Sequence, residues 1–181
     1  MNLSDNTYCE TNQTLQGQGM KLTSNEVKDG EKLSSVFTVE GEDISPPLQW
    51  TAPPADTKSF ALICDDPDAP SAENPGPEPW VHWVIFNLPA ETRELPAGAS
   101  DELEPNEIPG ARQGRNSWLE HNVGYRGPAP PRGSGPHRYV FKLYALDSAL
   151  SIPAGATKAE LLTAMKAHIL AEAKLIGVYE R

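Results

Sequence analysis

Phe60-Ala61-Leu62-Ile63-Cys64 runs directly into Asp65-Asp66-Pro67-Asp68-Ala69-Pro70. Five consecutive apolar residues match a strand covered on both faces. The two prolines that follow fix φ and remove backbone donors, so the acidic turn is stiff and its carboxylates are aimed. Taken alone, the turn reads first as a solvated strand end. Its meaning depends on what the rest of the chain brings to it.

Two more runs read as strands. Trp80 to Leu88 is rich in aromatic and β-branched residues and is stopped by Pro89. Tyr139 to Leu146 has Lys142 as its only charge. The 18 prolines and 14 glycines break the chain into short runs between loops. Short strands among Pro-rich loops call for an antiparallel sandwich rather than βαβ units. One helix is marked by Thr157-Lys158-Ala159-Glu160, a capping box in which threonine and glutamate satisfy each other's orphan amides. Leu161, Leu162, Met165 and Ile169 follow at helical spacing and predict one apolar stripe docked on the sheet.

Within these elements three sets of residues carry chemistry. Asp66 leads the acidic turn. His82 lies in Trp80-Val81-His82-Trp83-Val84-Ile85-Phe86, where a period of two places it on the face of Val84 and Phe86. An imidazole on an apolar face needs a partner, and taken alone His82 reads as a satisfied core histidine before it reads as a ligand site. Gly133-Ser134-Gly135-Pro136-His137-Arg138-Tyr139 leads into the last strand, with His137 and Tyr139 on one face and Arg138 on the other. Neither a phosphate-binding G-x-x-x-x-G-K-[ST] loop nor a G-x-S-x-G nucleophile elbow is present.

Composition narrows the classes further. The chain of 181 residues is long enough for one domain with a real core, and residues 20–181 read as that domain. Residues 1–19 lack Lys and Arg and are poor in apolar groups, which predicts a flexible leader. No run is apolar enough for a membrane helix and no basic-then-apolar signal opens the chain, so the protein reads as soluble and cytoplasmic. Cys9 and Cys64 have no disulfide or zinc spacing, and Cys64 reads as a buried free thiol. The net charge of −10 argues against nucleic acid as a partner. Arg112, Arg115, Arg126, Arg132, Arg138 and Lys142 nonetheless cluster in one segment, which reads either as a solvated face or as a local positive field for a small anion.

In combination these motifs resemble the phosphatidylethanolamine-binding protein family, in its bacterial Raf-kinase-inhibitor-like branch. The resemblance runs from Met20-Lys21-Leu22-Thr23-Ser24 through Gly41-Glu42-Asp43-Ile44-Ser45-Pro46-Pro47-Leu48-Gln49-Trp50 and Asp66-Pro67-Asp68-Ala69-Pro70. It continues in Trp80-Val81-His82-Trp83, Gly127-Pro128-Ala129-Pro130-Pro131 and Gly135-Pro136-His137-Arg138-Tyr139, and ends in a C-terminal helix closing at Ala171-Glu172-Ala173. It implies two antiparallel sheets with Greek-key character and a C-terminal helix. It also implies a pocket for phosphate, carboxylate or a phospholipid head group, lined by Asp66, His82, His137 and Tyr139 and walled by Pro70, Ala129, Pro130 and Pro131. A kinase or protease as protein partner and a homodimer are further implications, and no cofactor is called for. Two departures from the family pattern stand out: the leader before Met20, and the long Ser71–Pro79 loop with Pro75, Pro77 and Pro79 beside the expected mouth.

On this reading His82, His137 and Tyr139 donate hydrogen bonds to an anion while Asp66 orients one histidine or accepts from the ligand. A few charge-assisted bonds, each worth roughly 1.5–3 kcal/mol, give micromolar to millimolar affinity after ordering costs. Two rival functions use the same residues differently. Two histidines and a carboxylate also describe an open metal site of an enzyme. An interaction or inhibitor protein would instead work through the arginine-rich segment and the Ser71–Pro79 loop.

Overall fold

The computed structural model describes residues 19–181. The leader expected over residues 1–19, and Cys9 with it, lies outside this range but for Gly19. Each of the three expected strands is present and slightly longer than its apolar run. They are β3 (Ser59–Asp66), β4 (Trp80–Pro89) and β7 (His137–Leu146), and every residue of β3 is buried. Shorter strands complete the set: β1 (Lys21–Thr23), β2 (Leu48–Thr51), β5 (Glu94–Leu95) and β6 (Arg112–Gln113).

Helix α1 (Lys158–Met165) starts where the capping box places it. Thr157 Oγ1 accepts the Glu160 amide and Glu160 accepts the Thr157 amide. It is shorter than the stripe predicts, however. Only Leu161 and Met165 are buried, and Leu162 faces outward. The helix stops before Ile169, and β8 (Ile169–Tyr179) follows, so the expected helical end at Ala171-Glu172-Ala173 is strand. Ala-Glu-Ala-Lys is good helix material, but eleven residues here lie along β7, pairing from His137↔Tyr179 to Leu146↔Ile169. Ala173, Leu175 and Tyr179 alternate into the core, and this tertiary pairing overrides local propensity.

The strands form two antiparallel sheets, β1-β2-β5 and β6-β4-β3-β7-β8. Between the sheets lies the larger core, where Leu22, Trp50 and Leu95 meet Phe60, Leu62, Ile85, Phe141 and Leu175. The outer face of the five-stranded sheet carries a second core, in which Ala61, Ile63, Val84, Phe86 and Leu146 meet Leu161 and Met165 of α1. No helix of the described residues is long and apolar enough to cross a membrane. Cys64 is buried and unpaired, and burial with the neighbouring carboxylates pushes its thiol well up from the usual range.

At the end of β3 the two adjacent carboxylates part to opposite faces. Asp65 turns to the helix side, where Lys142 (3.0 Å) and Lys158 of α1 converge on it. Asp65→Asn leaves two lysines without their counter-charge beside a buried polar group. It is expected to destabilise the fold by on the order of 3 kcal/mol, read as a lower urea midpoint with unchanged slope.

Candidate ligand cavity

The ends of three central strands build the site. Asp66 closes β3, Trp80 and His82 open β4, and His137 and Tyr139 open β7. They surround a cavity of about 430 Å³, lined also by Pro70, Ala129, Pro130, Pro131 and Trp118. All eight residues singled out from the sequence therefore meet in one place.

His82 reaches the cavity by a route the period of two does not foresee. Cys64 pairs with Trp83 but Asp65 pairs with Val81, so β4 carries one extra residue, His82, opposite β3. The bulge breaks the alternation. Val84 and Phe86 pack on the helix side, while His82 turns to the opposite face and meets Tyr139 edge-on at 4.9 Å between ring centres. The expectation that His82 shares a face with Val84 and Phe86 is thus overturned.

Asp66 and His137 form the base. His137 is completely buried, and its Nδ1 lies 2.7 Å from Asp66 Oδ2. Asp66 Oδ1 accepts the Asp68 amide at 2.8 Å. Burial raises the Asp66 carboxyl above its ordinary range, with the His137 and Asp68 hydrogen bonds pulling the other way. Ser134 gives its hydroxyl hydrogen to Pro131 O (2.6 Å), and so accepts from His137 Nε2 at 2.9 Å. Asp68 clamps the turn onto β7. It accepts the Arg138 amide and binds the guanidinium twice, at 2.9 and 2.8 Å, which holds its carboxyl below the usual carboxylate range.

His82 is fixed from the other side of the cavity. Its Nδ1 lies 2.6 Å from Arg126 O. A carbonyl only accepts, so Nδ1 carries the hydrogen and Nε2 is a lone pair. Burial pushes the ring's pKa down to about 4, which keeps His82 neutral at pH 7. Tyr139 is buried as well. Its hydroxyl is held protonated by burial and by the Asp66 charge, and it has no hydrogen-bond partner among the described residues. The donor role expected of Tyr139 is open to it. His82, however, presents an acceptor, and His137 has both ring nitrogens already engaged.

The expected positive field does not form at the cavity, whose lining includes neither Lys nor Arg. Arg126 pairs with Asp43, Arg132 with Glu40, Arg138 with Asp68, and Lys142 with Asp65. A metal-ligand triad is not assembled either. Among the described residues no three His, Cys, Asp or Glu groups converge as a metal site. Sequence reading missed Trp118 and Ser134. Trp118 stands edge-on to His82 (4.9 Å) and Trp80 (5.5 Å), with the Arg126 guanidinium over its ring at 5.8 Å. Nothing local marks it, since a loop distant in sequence brings it to the wall.

A two-sheet antiparallel sandwich with a cavity at the strand ends, floored by an acid–histidine pair, defines a class of small β-sandwich proteins with one built pocket. The phosphatidylethanolamine-binding protein family model matches residues 23–180, and the chain belongs to that family. A UPF0098 protein of Methanothermobacter thermautotrophicus is 47% identical over 163 residues, covering 90% of this chain and 99% of its own. The UPF0098 protein YbhB of Escherichia coli is 41% identical, covering 88% and 99%. The crystal structure of Escherichia coli YbcL, described as a member of the mammalian PEBP family, aligns with a TM-score of 0.78 at 35% identity. That alignment covers 91% of this chain and 99% of YbcL.

The His82 environment makes acid stability a direct test. The unfolded ring titrates near 6.5 and the folded ring near 4, so the unfolded state binds more protons between those values. The His82 contribution is complete above pH 6.5 and is lost as pH falls towards 4, by roughly 3 kcal/mol. Asp66, raised in the fold, works in the opposite sense, with stability present below its unfolded pKa and lost as pH rises through the folded one. Comparison with His82→Asn, which can keep the bond to Arg126 O, isolates the histidine. Urea unfolding from pH 7 to pH 4.5 is expected to show a smaller loss of stability in the variant.

Proposed function

We propose that this protein is a non-catalytic binding protein whose cavity takes a phosphorylated head group or similar small anion, phosphorylethanolamine being the model ligand. The observation that carries this reading is the buried Asp66–His137 pair beside the unpartnered Tyr139 hydroxyl, in a cavity otherwise walled by Pro70, Pro130, Pro131, Trp80 and Trp118. A few fixed polar groups in an apolar concavity orient one end of a ligand and bury the rest. Tyr139 donates to a phosphoryl oxygen. Asp66 and the His82 Nε2 lone pair suit the ammonium of the same head group. Family membership supports the choice of ligand class.

A second reading, an interaction protein that modulates a kinase or protease through its loops, is favoured by one feature. Trp80 (43% exposed) and Leu119 (97% exposed) present apolar surface, Trp80 from the cavity lining and Leu119 next to Trp118.

Calorimetric titration with phosphorylethanolamine at pH 6 is expected to give saturable binding in the micromolar to millimolar range. Tyr139→Phe, which removes only the hydroxyl, is expected to weaken it about tenfold or more. His137→Ala is expected to abolish it. Unchanged affinity in both variants, or no binding by the folded protein, would reject the cavity as the ligand site and favour the loop reading.

A further inference from the structure

The cavity's hydrogen-bond inventory is unusual for an anion site. His82 contributes a lone pair, because its only hydrogen is committed to Arg126 O. The His137 Nε2 hydrogen is committed to Ser134 Oγ, whose own hydrogen goes to Pro131 O. Asp66 and Glu78 add carboxylates to the lining, and the proline walls have no amide hydrogens to offer. Against these acceptors stand the Tyr139 hydroxyl and the indole N–H groups of Trp80 and Trp118, the side-chain donors of the lining with no hydrogen-bond partner among the described residues, and none of them supplies a hydrogen from the ring of His82 itself. A fully ionised oxyanion placed beside His82 would set lone pair against lone pair in a site with neither Lys nor Arg in its lining, which buried polar groups do not tolerate cheaply.

We propose that the cavity selects anions that bring their own hydrogen-bond donor, and specifically takes phosphomonoesters in the singly protonated form in preference to sulfate esters. This rests on the phosphoryl-binding reading above and adds a rule for which phosphoryl groups enter. The P–OH donates to His82 Nε2 while an ionised oxygen accepts from Tyr139. A sulfate monoester has the same shape and single charge but no proton, and leaves the His82 lone pair facing oxygen. A site built around a fixed acceptor discriminates strongly against the analogue lacking the matching hydrogen. In phosphorylethanolamine the ammonium can supply the donor instead, so the clean probe is an aryl phosphate, whose ring also suits the Trp80 and Trp118 wall.

The second ionisation of a phosphomonoester falls near pH 6. The titratable groups around His82 are Asp65 and Asp66 from β3, His137 and Tyr139 from β7, and Glu78 in the lining, while the Arg126 side chain turns to Asp43. His82 itself stays neutral across pH 5.5–8. A monoanion without a titrating proton therefore serves as control for protein groups.

The experiment titrates the full chain with phenyl phosphate, phenyl sulfate and methyl phenyl phosphate at pH 5.5, 6.5, 7.5 and 8. Phenyl phosphate is expected to bind best at pH 5.5 and to weaken on the order of 50–100-fold by pH 8, following loss of its own proton. The two proton-free monoanions are expected to bind at least about tenfold more weakly at pH 5.5, with little pH dependence. Phenyl sulfate within threefold of phenyl phosphate at pH 5.5, or a flat pH profile for phenyl phosphate, would overturn the proton rule while leaving the phosphoryl site standing. Absence of phenyl phosphate binding at every pH, with phosphorylethanolamine also inert, would overturn both.

Discussion

Two consecutive carboxylates at the end of a fully buried strand must each find compensation, and the rest of the architecture depends on how they do so. β3 is paired on both edges and covered on both faces, so Asp65 and Asp66 cannot simply be solvated. Alternation along the strand sends them to opposite sides of the sheet. Asp65 draws Lys158 of α1 and Lys142 of β7 together and so fixes the helix against the outer core. Asp66 meets His137 and, through the Asp68 amide, shapes the turn that walls the cavity. One dipeptide thereby holds a structural ion cluster on one face and the floor of the site on the other. The cost of burying a charge without a partner makes both arrangements obligatory.

The β4 bulge is the second constraint. A regular ladder would send His82 towards α1 with Val84 and Phe86, where an imidazole would sit among apolar side chains. One extra residue turns it to the cavity and lets Arg126 O fix its tautomer. The same strand carries a second register shift, near Asn87, whose backbone has φ 56° and whose side chain exchanges hydrogen bonds with Leu150. Irregularities in β4 thus set which face each of its residues serves, and the chemistry at His82 follows from backbone geometry.

Charge is handled in the same local way. The basic segment does not make a field over the pocket, because each of Arg126, Arg132, Arg138 and Lys142 meets a carboxylate elsewhere in the fold. The result is a cavity rich in acceptors and aromatic surface and poor in cations. On the proposed function, discrimination among anions would then depend on where the ligand's hydrogens are, rather than on total charge.

The strands around Phe60–Cys64, Trp80–Leu88 and Tyr139–Leu146 were legible in the sequence because buried central strands are apolar throughout. The helix start was legible because a capping box is local chemistry. Residue type and motif order also brought Asp66, His82, His137 and Tyr139 forward as one set. Tertiary structure alone decided the rest. It made Ile169–Tyr179 a strand, since pairing along β7 outweighs the helix propensity of Ala-Glu-Ala-Lys. It turned His82 across the sheet by a bulge that no period of two can register. It placed Trp118 in the wall and gave Arg126, Arg132 and Arg138 their carboxylate partners, since contacts between distant segments leave no mark on the local pattern. A sequence can specify which groups are available; which of their hydrogens and lone pairs remain free is decided only when every neighbour is in place.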